Sequence, residues 1–269
     1  MKLSNLNEYL SSNNPWANRL IGIETFSRKR DLEQVEQEYN QDKYGKLLNF
    51  DFADIQLYKN KELELAGLIE KNDIFISMGE EIVKINFSLA CSIFYSLIST
   101  TLKRYAPKRI CELGCGYGYN LSYLKNICPE VYGGEYSENA VKIASFLKFD
   151  IKKFNYYNLE EYSCLIRHGS AILTVHSVEQ LPNAECFING LHRNRQNIDV
   201  IVNFEPSFLK TRKSLIGTLR NRYIEINDYN RDLITLLMDR NDVEILEYYP
   251  DYIGINPLNS TNIVIWRFK

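Results

Sequence analysis

The sequence predicts an α/β fold, a doubly wound and mostly parallel sheet with a helical cap at the N-terminus. Three observations carry that expectation. Residues 108–124 read as a strand, a glycine-rich turn and the start of a helix, because the apolar run Arg109 to Leu113 is followed by Gly114, Gly116 and Gly118 at alternate positions, where missing side chains let backbone approach a ligand. Glu130 to Glu135 reads as a second strand that ends in an acid 21 residues after Gly114, the place where a βαβ unit can hold the hydroxyls of a ribose. Ala171 to Val175 is a short, continuous apolar run of the kind buried on both faces in a parallel sheet.

A chain of 269 residues and 31.5 kDa is long enough for one large core, or one core and a smaller cap. We expect a helical cap or lid over residues 1–80 and the main domain over 81–269. Thirty-two basic against thirty-four acidic side chains leave a net charge of −2, so nothing global attracts nucleic acid and a large polyanionic substrate is disfavoured. Six cysteines lie far apart without a C-x-x-C pair, which suggests neither a zinc framework nor a disulfide scaffold. The N-terminus lacks the apolar core of a signal peptide and no stretch reaches the roughly 18 apolar residues of a membrane span. The expectation is a cytoplasmic protein with no membrane partner.

In chain order, Ser27 to Leu48 and Asp54 to Glu70 read as helices, with Ile55, Leu57, Leu63, Leu65, Leu68 and Ile69 on an amphipathic pattern. The run Asn13-Asn14-Pro15-Trp16 is a turn. Ile82 to Tyr105 predicts a long helix that Pro107 ends. After the glycine turn come a helix over Asn120 to Ile127, the strand to Glu135, a helix capped by Ser137, and a short strand near Asp150 to Phe154. Ile198 to Val202 forms the next strand, Ser207 to Asp239 a helical region, and Val243 to Tyr248 and Asn262 to Phe268 the last two strands.

The chemistry concentrates at the glycine turn. A dinucleotide fingerprint needs its third glycine five residues after the first; here it falls four after, and Glu112 stands two residues before Gly114. A carboxylate there repels a pyrophosphate and suits a ligand carrying positive charge. The E-x-G-x-G-x-G run from Glu112 to Gly118 resembles motif I of the class I S-adenosylmethionine-dependent methyltransferases. The resemblance covers roughly Pro107 to Lys269. It implies a Rossmann-like sheet of seven strands ending in an antiparallel pair, with Glu112 near the methionine end and the glycines lining the cofactor. Cys115 and Asn120 join that lining, Glu135 takes the ribose hydroxyls, and Tyr136 lies against the adenine. Family members often carry an Asp after the third strand. Asn155 holds that place here, beside Tyr156, and an amide oxygen can accept from the adenine amino group.

His176 is one of three histidines and stands at a strand end facing the cofactor site, which makes it the candidate general base, since imidazole titrates near neutral pH. A metal reading stands beside it. His176-x-x-Glu179-Gln180 resembles in position the E-x-x-E-H segment by which some O-methyltransferases hold a divalent cation, with Glu205 at the next strand end able to complete a site. Gln180 stands where those enzymes have their histidine, and this favours the base over the metal. Glu205 and the basic section with Arg212 and Arg220 are candidates for holding the acceptor. The expected function is methyl transfer from S-adenosylmethionine to a small polar molecule: O-methylation of a sugar, sugar nucleotide or phosphorylated precursor of a bacterial surface polysaccharide. N-methylation is the alternative, and a non-catalytic cofactor-binding or interaction module the alternative of another class.

Overall fold

The computed structural model describes residues 1–12, 14–22, 29–67 and 72–269. Asn13, the expected helix start at Ser27 and the expected helix end over Leu68, Ile69 and Glu70 lie outside the described residues. One ten-stranded sheet organises the chain, in the order β1-β3-β2-β9-β10-β8-β7-β4-β5-β6. Its strands are β1 (Lys2–Ser4), β2 (Asp73–Met78), β3 (Glu81–Asn86), β4 (Arg109–Leu113), β5 (Glu130–Glu135), β6 (Ile151–Lys153), β7 (Ser170–Val175), β8 (Ile198–Glu205), β9 (Val243–Gly254) and β10 (Thr261–Phe268). The strands from β4 to β8 are parallel neighbours. β10 runs antiparallel between β8 and β9, so the expected final antiparallel pair is present. Ile110, Cys111, Leu113, Ile172, Leu173, Ile201 and Val202 are fully buried, as a sheet covered on both faces requires.

The sheet has ten strands where seven were expected. Of the other three, β1 and β2 come from the region read as a helical cap, and β3 from the start of the expected long helix. Residues 82–86 were expected to open the long helix, but Ile82-Val83-Lys84-Ile85 forms β3, with Ile82, Val83 and Ile85 buried and Lys84 exposed. β-Branched residues favour the strand. The pairing Met78↔Glu81 closes a two-residue hairpin in which Gly79 takes φ +61°, the positive φ such tight turns demand. The helix starts instead at Phe87 and runs to Lys103, with the Asn86 side chain accepting from Leu89 N. Phe87, Ala90, Phe94, Ile98 and Leu102 form its buried stripe. β2 and β3 therefore stand on either side of the expected boundary at residue 80 and join the hairpin to β9.

Among the described residues the N-terminal region also carries helices, in part in an unexpected form. Pro15–Leu20, Leu32–Val35 and Ile55–Leu65 are α-helices, but Glu36–Gly45 is a π-helix of ten residues. Such wide turns are rare and are frequently found at functional sites.

Candidate active site

β4 ends at Leu113, and the chain then turns through Gly114, Gly116 and Gly118 at φ +74°, +56° and +94°. A Cβ on Gly114 would lie 2.4 Å from Ser177 Cβ, and one on Gly116 would lie 2.6 Å from the Tyr44 hydroxyl. Both positions need glycine for conformation and for space. Gly118 differs: a Cβ there would meet Ile151 and Phe149, and it borders neither cavity described below. The sequence assigned it to the cofactor lining; its place is in the packing under the turn.

Two carboxylates flank the turn. Glu135, at the end of β5, accepts from Gly116 N at 2.8 Å and from Ser137 N at 2.7 Å. Burial lifts its carboxyl above the ordinary range while those two amides oppose the shift. Each oxygen keeps a second lone pair. Glu112, on β4, is 1% exposed; its Oε1 accepts from Asn120 Nδ2 at 2.6 Å and its Oε2 is buried with no partner. Burial, opposed by Asn120 and reinforced by the charges of Glu135 and Glu205, pushes Glu112 up to about 8.

Two cavities lie over the turn. The first, of about 290 Å3, is bordered by Glu135, Tyr136, Asn155 and Tyr156 and by the loop His176 to Leu181. The second, of about 250 Å3, is bordered by Glu112, Cys115, Gly116 and Asn120 with Phe94 and Tyr95. They share Lys43, Tyr44, Gly114, Val175 and His176. Nine of the ten expected cofactor residues thus border one hollow or the other. Asn155 Oδ1 already accepts from Tyr157 N at 3.0 Å, which leaves it one lone pair. The Tyr136 ring carries Lys153 Nζ 4.5 Å from its centroid.

The loop after β7 is held from three sides. Ser177 Oγ donates to Leu113 O at 2.9 Å and pairs with the Tyr156 hydroxyl at 2.8 Å. Glu205, 1% exposed, turns its carboxylate into the loop and accepts from the amides of Ser177, Val178 and Glu179 at 3.0–3.1 Å. Burial, with the Glu179 charge adding, pushes Glu205 up to about 7 against these bonds and His176. It borders neither cavity, so its expected part in acceptor binding or metal ligation gives way to a structural one. Among the described residues no group of three or more His, Cys, Asp or Glu is placed to hold a metal ion.

His176 itself takes φ +51° and sits on both cavity walls. Its Nδ1 lies 3.3 Å from Glu179 Oε2 and its Nε2 is 2.7 Å from Thr261 Oγ1. Burial works against the imidazolium, but the charges of Glu179 and Glu205 outweigh it and raise His176 above its ordinary value. With the proton on Nδ1 shared with Glu179, Nε2 accepts from the Thr261 hydroxyl.

Arg212 and Arg220 stand elsewhere. Arg212 makes a bidentate pair with Asp251 at 2.6 and 2.9 Å and donates to Asn221 at 2.6 Å. Arg220 is fully buried and donates to the carbonyls of Pro257 and Gly79, with Asp251 3.3 Å from its Nη1. Neither borders either of these two cavities. These two arginines, expected to hold the acceptor, instead tie the helix Leu215–Ile226 and the residues before it to Asp251 of β9.

The N-terminal contribution went unread in the sequence. Lys43 and Tyr44, at the end of the π-helix, stand between the two cavities; Lys43 pairs with Glu62 at 2.9 Å, and Glu62 accepts from the Tyr117 hydroxyl at 2.7 Å. Burial opposes the Glu62 charge, yet Lys43 and Lys59 hold its carboxyl far below the ordinary range. Arg30 is buried on the first cavity's wall, bonded to Glu38 at 2.8 Å and to Asn227 O at 3.2 Å. The one signal in the sequence was the tyrosine and lysine crowding of E-Y-N-Q-D-K-Y-G.

No family model and no curated protein matches the sequence. Solved structures do match. The pyocyanin biosynthetic protein PhzM is similar at a TM-score of 0.51 and 12% identity, over 98% of this chain and 69% of that one. Magnesium protoporphyrin IX methyltransferase (ChlM) from Synechocystis PCC 6803, solved with bound SAH, matches at 0.50 and 14%, over 89% of this chain and 100% of that one. An S-adenosylmethionine-dependent methyltransferase from Anabaena variabilis ATCC 29413 matches at 0.50 and 13%, over 91% and 99%. The similarity to OxaC is more partial, at a TM-score of 0.46 and over 43% of that chain. With the strand order β6-β5-β4-β7-β8-β10-β9 and the glycine turn after β4, these likenesses assign the fold: the chain has the Rossmann-like fold of the class I S-adenosylmethionine-dependent methyltransferases.

Proposed function

We propose that the protein transfers a methyl group from S-adenosylmethionine to a hydroxyl of a small polar molecule. The observation that carries this reading is the pair of buried carboxylates on either side of the left-handed glycine turn, one with an oxygen that has no partner. The residues fit the cofactor: Glu112 Oε2 is the counter-charge for an ammonium group, Glu135 keeps lone pairs for a ribose diol, and Asn155 keeps one for the adenine amino group. When bound, S-adenosylmethionine supplies a methyl group activated by its sulfonium charge. Tyr44 narrows the space over Gly116, and Lys43 borders the same cavity. His176 accepts the acceptor's proton at Nε2 once the incoming hydroxyl replaces Thr261, while Glu179 keeps the other ring proton on Nδ1. The finer reading, a sugar hydroxyl in surface polysaccharide assembly, belongs to the same proposal and is supported by family resemblance alone.

Labelled S-adenosylmethionine incubated with hydroxyl- and amine-bearing metabolites, with and without chelator, tests it. Label should pass to a hydroxyl compound at a rate indifferent to chelator. Transfer only to amines, or none without an added divalent cation, would refute the stated mechanism.

A further inference from the structure

The acceptor's charge can be read from which wall groups already have partners. Each cation on the two cavity walls, among the described residues, has a carboxylate beside it: Arg30 has Glu38 at 2.8 Å, Lys43 has Glu62 at 2.9 Å, Lys59 has Glu62 at 3.1 Å and His176 has Glu179 at 3.3 Å. Among the described residues, the wall carboxyl oxygen left without a partner is Glu112 Oε2, on the second cavity, and the proposed cofactor's ammonium accounts for it. Among the described residues no cation is left on the walls to neutralise a phosphate or carboxylate, and the arginines read from sequence as acceptor holders are bound to Asp251.

Two unmet hydrogen bonds remain among the residues of the first cavity's wall. Arg30 Nη2 is a buried donor without an acceptor, and Gln180 Oε1 is a buried acceptor without a donor, since Gln180 Nε2 is used by Glu179 at 2.7 Å. Leaving such buried groups without partners is unfavourable. A hydroxyl both accepts and donates, so a molecule with hydroxyl groups satisfies both at once. An anion would satisfy Arg30 and repel Gln180 Oε1 and Glu179; a cation would do the reverse.

We infer that the methyl acceptor is an uncharged, hydroxyl-bearing molecule selected by Arg30 and Gln180, an inference that rests on the methyltransferase reading above. Thermal-shift titrations of the S-adenosylhomocysteine-saturated protein test it with two matched sets: sorbitol, sorbitol 6-phosphate and N-methylglucamine; and catechol, protocatechuate and dopamine. In at least one set the neutral member should bind and should do so at least tenfold more tightly than its charged relatives. Gln180→Met should weaken that binding about tenfold and Arg30→Gln at least as much, each by more than it weakens S-adenosylhomocysteine, whose proposed ribose and adenine partners share this cavity; an equal loss for both ligands would assign the two side chains to the cofactor and overturn the inference. A charged member binding as tightly as its neutral relative, no neutral compound binding, or Gln180→Met without effect would overturn the inference while leaving the cofactor reading intact. Failure of S-adenosylhomocysteine itself to bind would overturn that reading and this one with it.

Discussion

Glu112→Gln should make the ligand-free protein more stable and the cofactor complex weaker. Glu112 is 1% exposed, has one partner for two oxygens, and titrates at about 8 in place of 4.5. A raised carboxyl pKa means that the unfolded chain ionises first, so folded-state stability is fully present below pH 4.5 and is lost as pH rises toward 8. At about 1.4 kcal/mol per unit, the loss is on the order of 3 kcal/mol at pH 7 and on the order of 5 kcal/mol above pH 8. The glutamine amide keeps the shape and does not ionise. Urea unfolding at pH 5, 7 and 9 should therefore show wild type and variant close together at pH 5 and the variant increasingly ahead at higher pH. Titration calorimetry of S-adenosylmethionine in buffers of different ionisation enthalpy should show wild type releasing roughly one proton at pH 7 as the ammonium group ionises Glu112, and the variant releasing none. A wild type that gains on the variant as pH rises, or equal cofactor affinity in both, would refute the reasoning.

Other outcomes follow from the same geometry. His176→Ala should lower kcat by about 10²–10⁴-fold with cofactor affinity retained. The wild-type rate should rise with pH through an apparent pKa above 6.5, because the Glu179 and Glu205 charges raise that of His176; a midpoint below 6.5 would contradict it. Tyr44→Ala should open the space over Gly116 and speed release of S-adenosylhomocysteine in stopped-flow chase experiments, and an unchanged release rate would remove Tyr44 from the closure. Arg212→Ala should leave the acceptor KM unaltered but cost about 1–3 kcal/mol in denaturant unfolding, because the half-buried Asp251 would lose its bidentate partner and keep one poorly placed arginine. A selective rise in KM would restore its acceptor role.

Much of the sheet was legible because its signals are local. β4 and β5 have the bounds their apolar runs and terminal acids predict, and Ser137 caps its helix as its position before Glu138 suggests. Glu112, Gly114, Gly116 and Glu135 were legible for the same reason: strand ends and turns put neighbouring residues in one place. What was missed depends on tertiary pairing or on an uncommon period. Residues 82–86 have apolar residues that fit a helix stripe as readily as a strand, and only pairing with β1 and β2 decides between them. Val35, Tyr39 and Tyr44 reach one cavity wall because a π-helix spaces them four and five apart, which a 3.6-residue period does not bring out. Arg212 and Arg220 looked free because Asp251 is 39 and 31 residues away in sequence. Glu205 looked like a ligand because the loop amides that occupy it belong to another strand's end.

The central claim is that the glycine turn and its two carboxylates bind S-adenosylmethionine. Isothermal titration of the wild type and of Glu135→Ala with S-adenosylhomocysteine, with NAD as the comparison, tests it most directly. The account predicts one site per chain, no NAD binding, and a loss of about 1–3 kcal/mol in the variant as the ribose hydroxyls lose their acceptor; tight NAD binding with none of the sulfur nucleoside, or undiminished affinity in Glu135→Ala, would contradict it.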